Sequence, residues 1–144
     1  MIQRIQSIFL LLAAGASLGL FGLPFASGSD TEQNVLLADG VFNLQDHIGL
    51  IIAFAGAGAL ALIAIFLFKN RSLQVKISLA SLLFIIGGIG WGTYLLFSQA
   101  GESINSLSIG LGTFLPLLGI ILTIVANRYI KKDDKLVKSM DRLR

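Results

Sequence analysis

Apolar residues in this chain come in four long runs, each closed off by charge. The first lies between Arg4 and Asp30, the second between Asp46 and Lys69, the third between Lys76 and Glu102, the fourth between Glu102 and Arg128. Each holds at least the ~20 residues that a helix needs to cross a ~30 Å hydrocarbon core. With no water in that core, only helices and closed barrels satisfy their backbone groups. A barrel would require short strands of alternating polarity, and these runs do not alternate. The pattern therefore predicts helices at about residues 5–25, 48–68, 77–97 and 106–127.

The polar segments between them set the arrangement. The stretch from Lys69 to Lys76 is short, so helices two and three form an antiparallel hairpin, and the short segment 98–105 ties helix three to helix four. Residues 1–144 thus read as a single all-α membrane domain, an antiparallel bundle of four transmembrane helices. The first outer loop, 26–47, is acidic, with Asp30, Glu32, Asp39, Asp46 and His47. Within it, Asp39-Gly40 separates two short apolar runs, 35–38 and 41–44, which is a strong signal for a small β-hairpin. Such a ribbon is marginal alone and needs the helix ends or a partner to lie on. The acids match no calcium-loop spacing and read as a charged loop kept out of the membrane. His47 reads as a residue at a helix start. In the tail 128–144, Leu136, Val137, Met140 and Leu143 fall at helical spacing between Lys and Arg. That segment reads as a short amphipathic C-terminal helix, either continuing helix four or lying on the surface.

Charge sets the orientation. All 11 cations fall in three places: Arg4; Lys69, Arg71 and Lys76; and Arg128, Lys131, Lys132, Lys135, Lys138, Arg142 and Arg144. The loops at 26–47 and 98–105 carry none. With four spans these places share one membrane face, and the positive-inside rule makes it cytoplasmic, with both termini there. The run 8–25 exceeds the 7–15 apolar residues of a usual signal peptide, so helix one is expected to be retained.

Composition narrows the chemistry. The chain is 55% hydrophobic and 13% charged, against roughly 25% charged in an ordinary soluble domain. It has no cysteine, which excludes disulfides, thiolate catalysis, Fe–S clusters and Cys-based zinc sites. A single His leaves no histidine cluster for metal or haem. No ionisable residue falls within the four spans, where proton relays and ion pathways normally need one. No nucleophile–base set, acid pair or phosphate loop can be assembled, so neither an enzyme nor a cofactor is expected. The net charge of +3 raises nucleic acid as a partner, but Asp133, Asp134 and Asp141 interrupt the basic tail and argue against it.

Small residues recur every four positions: Gly15 and Gly19 in helix one; Gly49, Ala53, Ala57 and Ala61 in helix two; Gly88 and Gly92 in helix three. Such stripes let helix backbones approach closely in lipid. They predict packing faces, toward other helices of the chain or toward a second copy. Pro116, inside the predicted fourth helix, is expected to kink it. Trp91, Tyr94 and Tyr129 lie toward helix ends and read as interfacial anchors.

The segments MIQRIQSIFLLLAA (1–14), FKNRSLQVK (68–76) and GTFLPLLGIILTIVANRYIKKDDKLVKSMDRLR (112–144) resemble a domain-of-unknown-function family of small bacterial inner-membrane proteins. The resemblance spans essentially the whole chain, and its last stretch is the most specific part. It implies a four-span inner-membrane protein and transfers no activity, cofactor or catalytic residue. Its signature pieces fall at 3–6, 70–74 and 127–144. Taken together, the expectation is a non-enzymatic scaffold or accessory subunit whose basic face meets anionic headgroups of the bilayer or a membrane or cytoplasmic protein. A small oligomeric transporter or channel for an uncharged solute is the alternative. A lipid-modifying enzyme lacks any acid, base or metal ligand.

Overall fold

Helices α1 (Ile2–Gly19), α2 (Ile48–Phe66), α3 (Arg71–Ala100) and α4 (Phe114–Asp141) build the computed structural model, which describes residues 2–27, 40–100 and 108–141. All four are long and apolar enough to cross a membrane. Each packs on its neighbours in chain order, and α1 closes the ring against α4. The result is an up-down-up-down bundle. One end, here the basic end, carries the start of α1, the α2–α3 turn and the end of α4. The other carries a small sheet.

Buried positions repeat with alternating steps of four and three in every helix. In α1 and the 3-10 turn that follows they are Gln6, Leu10, Ala13, Ser17 and Leu20; in α2, Leu50, Phe54, Ala57, Ala61 and Ala64. The seam of α3 runs Gln74, Ser78, Ser81, Ile85, Gly88, Gly92 and Leu95, and that of α4 runs Pro116, Gly119, Thr123, Ala126, Ile130 and Asp133. This 3.5-residue period is that of a left-handed bundle, in which each seam keeps facing its partners. Most seam residues are small or polar, whereas Ile8, Leu11, Leu12, Ile52, Leu83, Ile86, Leu118 and Ile121 point outward. Water would not tolerate so large an apolar surface, but lipid gives outward Leu and Ile no reason to turn inward.

The sheet end is held by three two-residue strands, β1 (Ala26–Ser27), β2 (Val41–Phe42) and β3 (Ser108–Ile109), in the order β2-β1-β3, both pairs antiparallel. Segments leading out of α1, into α2 and into α4 are thus laced together. Gly110 and Gly112 donate backbone N–H bonds to Phe25 O and Pro24 O at 2.8 and 2.9 Å. A Cβ at either glycine would lie 2.4–2.5 Å from Pro24 O, so only glycine permits the approach. Beneath the sheet, Phe25 packs its ring 5.8 Å from those of Phe42 and Phe54. Entry into α2 is capped by His47, whose Nδ1 accepts the Gly49 N–H at 3.0 Å and the Trp91 Nε1–H at 3.3 Å.

Two expected helix boundaries change, and with one of them an expected kink. Helix four begins at Phe114, preceded by β3 and a 3-10 turn at Leu111–Thr113, so Pro116 falls in its first turn. An N–H there has no intrahelical partner to lose, and the expected kink has no cause. Helix three begins at Arg71, not 77; the turn shrinks to 67–70, with Asn70 Oδ1 accepting the Leu73 N–H at 3.2 Å. Of the two readings of the tail, continuation of helix four is the one found, since α4 runs through it to Asp141. Of the expected hairpin, Gly40 has the positive φ, 71°, that the Asp-Gly signal implied, and Val41–Phe42 form a strand that pairs with Ala26–Ser27. The other proposed arm, 35–38, lies outside the described residues.

A candidate binding face at the basic end

Toward the basic end the seam turns polar. Gln6 and Gln74 are wholly buried, and their side-chain amides make no hydrogen bond among the described residues. They lie one turn beyond Leu10 and Ser78 on the same helix faces, next to a small apolar cluster of Leu10, Ala64, Ala126 and Ile130. Ser78 hydrogen-bonds Asn127, joining α3 to α4, and Ser81 Oγ donates to Ala57 O at 2.8 Å, joining α3 to α2. Farther out, Arg71 Nη2 sits 2.9 Å from Asp133 Oδ2, with side chains only 20% and 12% exposed. Asp133 takes that place because the α4 seam, continued past Ala126 and Ile130, arrives at it.

Around this pinned interior lies the cationic surface. Lys69, Lys76, Arg128, Lys131, Lys132, Lys135 and Lys138 are exposed. Lys138 is held by Asp134, one turn back, at 2.6 Å. Arg71, in contrast, turns its guanidinium inward to Asp133. The side chain of Arg4, and Arg142 and Arg144, lie outside the described residues. Tyr129 stacks on Phe9, ring centroids 5.6 Å apart and 8° from parallel, locking α4 to α1 at this level.

The small-residue candidates divide. Ala57 and Ala61 are buried on the α2 seam, and Gly88 and Gly92 on that of α3. A Cβ at Gly88 would come within 2.8 Å of the Phe54 ring and 3.2 Å of Ala53 Cβ; one at Gly92 would touch Leu50 at 3.4 Å. At Gly49 it would meet Trp91 Nε1 at 3.1 Å. Gly15 is exposed, and a Cβ there meets nothing within 4 Å, so it packs on no described helix of this chain. Gly19 is also exposed and would touch only Leu115, at 3.5 Å. The small residues that α1 buries are Ala13, Ala14, Ala16 and Ser17, because its seam follows the 3.5-residue period and not the four-residue glycine spacing. Pro116 is buried at the top of the α4 seam.

Sequence reasoning missed Asp133 as an interior residue, and Gln6 and Gln74 as buried amides. A heptad count run beyond the last apolar position of each helix finds all three. Among the described residues no three His, Asp or Glu side chains gather as a metal site. At the opposite end, Phe25, Ala26, Leu96, Phe97, Ile109 and Thr113 line an apolar recess of about 320 Å³.

Residues 2–143 match the model of a domain of unknown function, DUF4293. Comparison with curated proteins and with solved structures gives no match. The pieces that carry the resemblance in the sequence, around 3–6, 70–74 and 127–144, supply Gln6, Arg71, Gln74, Asn127 and Asp133 to this one end of the bundle.

Proposed function

The chain belongs to the DUF4293 family, a domain of unknown function, and from that premise we propose a non-enzymatic scaffold or accessory subunit of the bacterial inner membrane. Both termini lie in the cytoplasm, and the basic end is the working surface, offered to a protein partner or to anionic lipid. The positive-inside rule supports the orientation, since every cation falls at that end. One observation carries the reading. The basic surface of α4 belongs to an unbroken helix that Arg71–Asp133 and Ser78–Asn127 fasten to α3. A preorganised charged face loses little conformational entropy when it binds.

The test is copurification from native membranes in mild detergent, comparing the wild type with Arg128→Gln, Lys131→Gln and Lys132→Gln combined. The expected result is a specific companion, protein or anionic lipid, that the neutralised variant loses. A strictly lone monomer indifferent to these substitutions overturns the reading. For orientation, a fluorescent reporter fused after Arg144 is expected to mature, and a periplasm-dependent phosphatase fused there to stay inactive.

A second reading, a small oligomeric transporter or channel for an uncharged solute, draws on the hydroxyls and amides along the seam at the basic end. Against it stands the apolar plug of Leu20, Phe42, Leu50 and Phe54 toward the sheet end, all wholly or almost wholly buried. Solute-driven swelling of proteoliposomes above that of empty vesicles would favour it over the scaffold.

A further inference from the structure

The face between α3 and α4 carries a groove in two adjoining parts. Its upper part, about 230 Å³, is lined by Leu79, Leu82, Ile124, Asn127, Arg128 and Lys131. Its lower part, about 260 Å³, is lined by Lys131 again, with Lys76, Val75, Ser72, the two pairing cations Arg71 and Lys138, and the carboxylate Asp134. Lys131 lines both and marks their junction.

The charges along this groove are not equivalent. Arg71 is matched by Asp133 at 2.9 Å and Lys138 by Asp134 at 2.6 Å. Among the described residues no carboxylate lies within ion-pair distance of Lys131, which lines both parts, of Lys76 in the lower part or of Arg128 in the upper; Asp134, in the lower part, is taken by Lys138. Immediately above them the wall becomes apolar, and Leu79 and Ile124 are 40% and 39% exposed. Ile124 and Lys131 are two turns apart on α4, roughly 10 Å along the helix at 1.5 Å per residue. Lys76 and Arg128 also mark where the uncharged spans of α3 and α4 end, so the junction sits at the level of the headgroups. The walls are held in place by Ser78–Asn127 at the junction and Arg71–Asp133 below it.

We infer that this groove is a binding site for an anionic phospholipid, its phosphate held by Lys76, Arg128 and Lys131 and an acyl chain lying on Leu79, Leu82 and Ile124. A basic pocket between helices at the membrane surface selects anionic headgroups, and an adjoining exposed apolar wall suits an acyl chain and not a soluble anion. A protein surface would not be expected to divide its polarity at headgroup level. The inference rests on the proposed reading that the basic end lies at a membrane surface, and it narrows that reading from a charged face to one groove.

The test uses the purified full chain in neutral detergent, offered phosphatidylglycerol or phosphatidylcholine with matched acyl chains and followed by native mass spectrometry. Phosphatidylglycerol is expected to be retained preferentially. Lys131→Gln and Lys76→Gln should each lower its retention about fivefold, the equivalent of ~1 kcal/mol per basic residue near an anionic surface. Lys131→Arg should preserve it. Lys135→Gln, exposed on α4 but outside the groove, should leave it unchanged. Equal retention of the two lipids overturns the inference. So does a loss with Lys135→Gln as large as with Lys131→Gln, which assigns the effect to overall charge. Displacement of the lipid by inorganic phosphate also overturns it, by making the groove a soluble-anion site. Detergent solution has no sidedness and contains no partner protein, so failure here leaves the scaffold reading and its orientation standing.

Discussion

Arg71, in the first turn of α3, places Nη2 2.9 Å from Oδ2 of Asp133, six residues beyond Asn127 on α4. The pair lies below the Ser78–Asn127 bond, so the two antiparallel helices are tied twice, once at each level. Both charged side chains are largely withdrawn from water, which makes the pairing a structural commitment and not a passing surface contact.

Removing one partner should therefore be more damaging than removing both. Asp133→Ala is expected to lower stability by about 2–3 kcal/mol, somewhat under the ~3–5 kcal/mol of a fully buried pair because some exposure remains. Arg71→Leu combined with Asp133→Leu should come close to the wild type, since well-packed apolar replacements of buried pairs are often neutral. Equilibrium unfolding in detergent micelles measures both; a harmless Asp133→Ala contradicts the assignment.

Gln6 and Gln74 give the opposite sign. Each buries an amide without a hydrogen bond among the described residues, an arrangement that costs about 1–3 kcal/mol per group. Gln74→Leu and Gln6→Leu, close in size, are expected to raise the unfolding midpoint. A fall in stability for either variant would mean that the amide is satisfied in the folded protein.

The same substitution, glycine to alanine, should have contrary effects at two places. At Gly112 the added Cβ would lie 2.5 Å from Pro24 O, a backbone atom held by the sheet, and a loss on the order of 1–3 kcal/mol is expected from overpacking. At Gly15 nothing lies within 4 Å, so alanine should be neutral or gain up to ~1 kcal/mol from helix propensity. Thermal midpoints of the two variants, measured side by side, decide it.

His47→Ala removes the acceptor that caps α2 and anchors Trp91. About 1 kcal/mol of stability should be lost with the cap. Trp91 is the single tryptophan, so its fluorescence reports this site alone, and the emission maximum is expected to move. An unchanged spectrum would show that the indole does not depend on the imidazole.

Much of the plan was legible in one dimension. The free energy of moving a residue into lipid depends on its own side chain, so runs of apolar residues mark spans wherever they stand. The gathering of all 11 cations at one end is likewise a matter of counting. Boundaries were less legible, because they depend on partners. Helix three reaches back to Arg71, whose charge Asp133 receives, and helix four starts late, because Ser108–Ile109 are taken by the strand of Ala26–Ser27.

The sequence by itself determined the four apolar helices and the end at which positive charge collects. Only the tertiary structure decided which residues face inward. In lipid, outward and inward apolar surfaces differ little in energy, so hydrophobicity does not mark the seam. Close packing marks it instead, through the alternating steps of four and three that run from Leu50 to Ala64 in α2 and from Pro116 to Asp133 in α4. That period carried two glutamines and an aspartate into the interior and left Gly15 outside, because packing selects positions by geometry and not by side-chain polarity.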